Sequence, residues 1–119
     1  LLVNMSGGLS TDFRTWAVIT TVYSWSVAGS KEKLGAQIDL LIDRNDDVIN
    51  LCEIKYSKAP FQITNTIDAS LQNKRERFIQ ETGTEKAVHL TMITTMGLSD
   101  NPYAWDVQSV VTMDDLFVL

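Results

Sequence analysis

Apolar and polar positions change rhythm several times along the chain, and each change marks an element. Residues 17–27, AVITTVYSWSV, are rich in β-branched and aromatic side chains and read as a strand. A polar loop, AGSKEKLG (28–35), leads to AQIDLLID (36–43), a second strand. RNDD makes a turn, and VINLCEIKY (48–56) is a third strand, so the three form a meander. Pro60 in the loop SKAPFQ stops the strand from continuing. In TNTIDASLQNKRERFIQETG, Ile67, Leu71 and Phe78 recur at helical spacing, with Thr64 as cap and Gly83 as the stop. KAVHLTMITT (86–95) is apolar without alternation, as an interior strand should be.

MGLSDNPYAWD reads as a loop, VQSVVT (107–112) as a last strand, and TMDDLF as a short terminal helix capped by Thr112. Residues 1–16 are the least legible part. SGGLS signals a turn, and STDFRTW can start a short helix capped by Ser10 or Thr11. The expected order is (α)βββαββα: an α/β fold with a mixed sheet and a crossover helix on one face.

The hairpin over 36–56 carries an unusual set of charges for so apolar a segment. Asp39 lies on the second strand, and Glu53 and Lys55 share one face of the third. If Asn45, Asp46 and Asp47 form the turn, Arg44 opposes Val48 and Asp39 falls opposite Glu53. A two-residue turn would set Asp39 against Cys52 and put the acids on opposite faces. Asn and Asp tolerate the left-handed backbone that a three-residue turn demands, so the first register is the expected one. Two carboxylates about 5 Å apart repel unless something positive lies between them. A divalent cation does this, and hard oxygen ligands select Mg²⁺ or Mn²⁺. Lys55, on the face of Glu53, could orient a water or stabilise charge developing on a phosphoryl oxygen.

Asp39, thirteen intervening residues and then Glu53-Ile54-Lys55 resemble the PD-(D/E)XK nuclease superfamily, whose core is an αβββαβ mixed sheet of restriction-endonuclease-like fold. GAQIDLLIDRNDDVINLCEIKYS, with the closing VQSVVTMDDLF, is similar more narrowly to the nuclease-like C-terminal domain of predicted bacterial AAA-type ATPases. The resemblance spans residues 17–119. It implies a Mg²⁺-dependent nuclease acting on DNA phosphodiesters and attached to an upstream ATPase. Asp39 and Glu53 would hold the metal, with the Ile54 carbonyl as a further ligand, and Lys55 would serve catalysis. Many members place another metal-binding Glu on the helix before the first strand; residues 1–30 contain none, and Asp12 is the only acid there. The alternative is therefore a module that keeps the fold without the chemistry and serves docking, dimerisation or DNA sensing.

Composition narrows these readings. The chain has 119 residues, 45% apolar and 21% charged, which suits one folded domain. No apolar run reaches the roughly 20 residues of a membrane span, and the N-terminus lacks the pattern of a signal peptide. It starts with Leu, so the natural chain is expected to extend upstream. The single Cys52 suits a reducing cytoplasm and reads as a small buried strand residue. Net charge of −5 and a pI near 4.6 count against binding DNA through a general field. Local contacts would have to come from Lys58, Lys74 and Arg75, with Arg77 beside them. Lys74 stands on the helix face of Ile67, Leu71 and Phe78, an odd place for a charge unless its stem snorkels. Asp43, Asp46 and Asp47 read as turn and rim residues, and His89 as a core or edge histidine. Trp16, Trp25 and Trp105 read as packing or interface residues, and a homodimer could use the aromatics near Trp105.

Overall fold

The computed structural model describes residues 2–3 and 17–112, with side chains from residue 21 onward. Strands β1 (Leu2–Val3), β2 (Ala17–Val27), β3 (Ala36–Arg44), β4 (Val48–Lys55), β5 (Ala87–Thr94) and β6 (Ser109–Thr112) form one sheet in chain order. Neighbours from β1 to β4 are antiparallel, and β4, β5 and β6 are mutually parallel. Helix α1 (Asn65–Thr82) makes the β4–β5 crossover. The fold is therefore α/β with a mixed sheet, as the alternation of patterns leads one to expect. The helices expected at 10–16 and 112–117 lie outside the described residues, save Thr112, which ends β6. The 96–106 loop contains a turn of helix, α2 (Pro102–Trp105), that the pattern did not reveal. Asn101 caps it by accepting from the Ala104 amide at 2.9 Å, and Pro102 stands at its start, where no amide hydrogen is needed.

Helix α1 begins and ends where the sequence places it. The Thr64 hydroxyl accepts from the Ile67 amide at 3.3 Å, and Gly83 closes the helix at φ 63°, a conformation costly for any side chain with a Cβ. Its inner face drives Leu71 and Phe78 onto the sheet, where they meet Ile38, Leu41, Ile49, Leu51, Val88, Leu90 and Met92. Trp25 meets Phe78 edge to face at 5.3 Å. Arg77, expected on a basic rim, is buried instead. It donates from Nε to the Leu34 carbonyl at 3.1 Å and from its other nitrogens to the Ala28 carbonyl and the Glu81 carboxylate. The guanidinium thus clamps the 28–35 loop to α1. Inside that clamp the backbone pinches so closely that a Cβ on Gly35 would come 2.8 Å from the Gly29 nitrogen.

The β3–β4 turn takes the three-residue form. Leu40 pairs with Cys52, Leu41 with Leu51, Ile42 with Asn50 and Asp43 with Ile49, and Asp47 adopts φ 62° in the turn. One further step of that register would set Asp39 across from Glu53. A bulge intervenes. On its other side β3 pairs Leu41 with Tyr23 but Ile38 with Trp25, so Asp39 and Leu40 together oppose the single residue Ser24. Ile38 and Leu41, three apart, consequently both enter the core beneath α1.

The sheet's opposite face is polar at its centre. Arg44 donates to the Asn50 side chain at 3.1 Å, Asn50 donates to the Thr91 hydroxyl at 2.8 Å, and Thr91 and Ser109 share a hydrogen bond at 3.3 Å. These four residues are all at most 3% exposed and cross from β3 to β6 in one ladder. Arg44 also grips Asp46 in the turn through Nε and a terminal nitrogen. Buried polar groups fully bonded in this way fix strand register at little net cost.

Candidate functional site

Glu53 and Lys55 project from the same face of β4, the one that carries Ile49 and Leu51 into the core beneath α1. Opposite them stands Lys74, on the α1 ridge that follows Leu71. Its ammonium donates to Glu53 Oε2 at 2.9 Å, while the Lys55 ammonium lies 3.4 Å from Oε1. Glu53 and Lys74 are each about one-fifth exposed, at 19%, and Lys55 is more open. The carboxylate is thus flanked by two cations, and the triad carries one net positive charge. That partnership explains the charge at an otherwise apolar helix position. The contact spans 21 residues and a crossover, so helical spacing alone cannot show it.

Asp39 goes elsewhere. The bulge turns it away from α1, and its Oδ1 accepts from Gln37 Nε2 at 3.1 Å on an exposed part of the sheet. A shallow cleft there is bounded by Ser24, Ser26, Gln37 and Asp39. The structure therefore does not bring Asp39 and Glu53 together. Among the described residues, no three His, Cys, Asp or Glu side chains gather where they could hold a metal. As arranged, the residues do not fit a divalent ion: Glu53 has an ammonium at each oxygen, and Asp39 lies across the sheet from it. Ile54 alternates to the other face from Glu53 and is partly exposed.

The basic residues do not converge either. Lys58 is exposed on the loop after β4, Lys74 turns inward to Glu53, and Arg75 lines a separate cleft against α2. The turn acids have structural partners. Asp46 pairs with Arg44, and Asp43 takes the Lys86 ammonium, whose pKa that bond raises. Burial raises the Tyr23 phenol, and Asp43 adds to the effect.

Burial pushes the Cys52 thiol up to about 12, which leaves it neutral and a poor nucleophile. His89, on β5, has a buried Nδ1 with no hydrogen-bond partner. Its pKa is lowered, first by desolvation and then by the charges of Arg44 and Arg75. A neutral imidazole is the stable form in such surroundings. No helix among the described residues is long and apolar enough to cross a membrane. Comparison with family models, with curated proteins and with solved structures finds no match to this chain.

Proposed function

We propose that this chain is a docking module of nuclease-like fold that performs no metal-dependent chemistry itself, carried on an ATPase as the resemblance implies. One observation carries the reading: Glu53 is held between Lys74 and Lys55, while Asp39 is bonded to Gln37 on the other face. A carboxylate that already has two ammonium partners has no need of a cation, and a divalent ion would have to displace at least one of them. The antiparallel meander, the α1 crossover and the parallel strands after it support a restriction-endonuclease-like core as the scaffold. The acidic balance of the chain supports a protein partner over DNA.

The test is calorimetry with Mn²⁺, together with cleavage assays on linear, supercoiled and branched DNA at low salt. No binding and no cleavage are expected. Cleavage that disappears in Glu53→Gln and in Lys55→Met, both shown folded by circular dichroism, would overturn the proposal.

The second reading is the Mg²⁺-dependent nuclease, and the register favours it. The β3–β4 ladder ends at Leu40 and Cys52, one step short of setting Asp39 against Glu53. Straightening the bulge would bring the two acids to one face beside Lys55. Anomalous scattering from Mn²⁺-soaked crystals separates the readings, because an ion bridging Asp39 and Glu53 is possible only in the straightened form.

A further inference from the structure

Away from Glu53, α1 and the α2–β6 segment enclose an open cleft of about 450 Å³. Asp68, Gln72 and Arg75 form its α1 wall, spaced so that they lie along one side of the helix. Trp105 and Asp106 form much of the other wall. Trp105 is 70% exposed, and its indole nitrogen donates to Asp100 Oδ1 at 2.7 Å, which orients the ring. The wall behind it is tied down as well. Asn101 donates to the Ile63 carbonyl at 3.1 Å, and the Gln108 side chain accepts from the Leu90 amide at 2.7 Å. Among the described residues, Asp68, Arg75 and Asp106 form no side-chain hydrogen bond or ion pair with one another or with a neighbour.

An exposed, hydrogen-bonded indole beside two unengaged carboxylates matches the chemistry of a cation carried on an apolar stem. The ring face attracts a guanidinium or ammonium, and the carboxylates neutralise it. Arginine suits the site better than lysine, since its planar head can stack on the indole and meet a carboxylate in the same pose. Arg75 leaves the cleft with one net negative charge and offers donors to backbone carbonyls of whatever enters. Two carboxylates in the lining against one arginine disfavour phosphate, and with it a nucleic-acid strand.

We propose that this cleft receives an arginine side chain from a partner polypeptide, with Trp105 as stacking platform and Asp68 and Asp106 as counter-charges. This deepens the docking reading and rests on it. Mn²⁺ and DNA experiments read Glu53, whereas peptide titrations read the cleft, so either can fail alone. The probe is a short acetylated and amidated peptide with a central arginine, titrated to millimolar concentration against ¹⁵N-labelled protein. The readout is the indole N–H resonance of Trp105.

A saturable shift is expected with the arginine peptide, and essentially none with matched citrulline or glutamate peptides. Asp68→Asn with Asp106→Asn should weaken binding by about ten-fold while the spectrum stays folded. Trp105→Leu should weaken it similarly, followed then through the Gln72 side-chain amide. Equal shifts with all three peptides, no shift at millimolar peptide, or binding indifferent to the double substitution would each overturn the proposal. So would a shift produced by an oligonucleotide in place of the arginine peptide.

Discussion

The two ends of β3 behave differently. Near the turn, Leu41, Ile42 and Asp43 pair with Leu51, Asn50 and Ile49 in unbroken register. At the other end, Asp39 and Leu40 share one partner on β2, and the alternation of faces slips. The turn end is governed by local chemistry, since Asn45, Asp46 and Asp47 specify a three-residue loop and with it the register. The far end is governed by what packs above it. Trp25 and Phe78 fill the space over Ile38, and Ile38 reaches them only through the bulge. The core's demand for Ile38 moves Asp39 off the face where a second carboxylate would stand.

If the regular end holds the hairpin together, the largest loss should follow from a cavity there. Leu51 is 1% exposed and pairs with Leu41 beneath α1. Leu51→Ala should cost about 2–5 kcal/mol in urea-induced unfolding. A cost under about 1 kcal/mol would mean that this end of the sheet can collapse around the gap.

Glu53 lies between the two regimes, and its loss should be intermediate. Glu53→Ala leaves Lys74, whose side chain is 19% exposed in the parent, with Lys55 nearby and no counter-charge. The expected cost is about 1–2 kcal/mol, less than for a fully buried pair because the site is partly wet. Lys74→Met together with Glu53→Leu should recover most of it, as it removes the less exposed pair and leaves only Lys55, the more open ammonium, without its partner. Failure of the double variant to recover would show that the triad does more than neutralise itself.

The same contrast sets what the sequence could reveal. The six element patterns between 17 and 112 and both ends of α1 were legible, because periodicity and caps are local properties. The three-residue turn was legible for the same reason, and Asp47 takes the left-handed conformation that it requires. The bulge was not, since QIDLLID alternates well enough to pass for a regular strand. Nor was the Lys74–Glu53 pair, which only the crossover creates. Helix α2 hid inside a loop pattern although Asn101-Pro102 is a cap-and-start signal, because four residues give no periodicity.

A smaller effect distinguishes the polar face from the apolar one by pH. His89 has its pKa lowered from 6.5 in the folded state, so between its folded pKa and 6.5 the unfolded chain binds more protons. Stability should therefore fall as pH drops through that window and level off below it. His89→Gln should flatten this part of the curve while leaving the acid-induced loss at lower pH, measured by urea midpoints at closely spaced pH values. An unchanged curve in the variant would remove His89 as the source.

The smallest effect should come from Asp39. It is exposed, and its one hydrogen bond in the described structure comes from its neighbour Gln37, on a surface where water can replace either partner. Asp39→Asn keeps the shape and an acceptor oxygen and removes only the charge, so stability should change by less than about 0.5 kcal/mol. Mn²⁺ should have no effect on the melting temperature of either form, because a ligand stabilises the folded state only by binding it. The comparison with Glu53 makes this informative. Were the acids to meet on one face, they would together offer a divalent ion two carboxylates beside Lys55. Mn²⁺ would then raise the melting temperature of the parent chain but not of the variant. That loss of the Mn²⁺ response in the variant would show that the bulge opens in solution and that β3 can present Asp39 on either face.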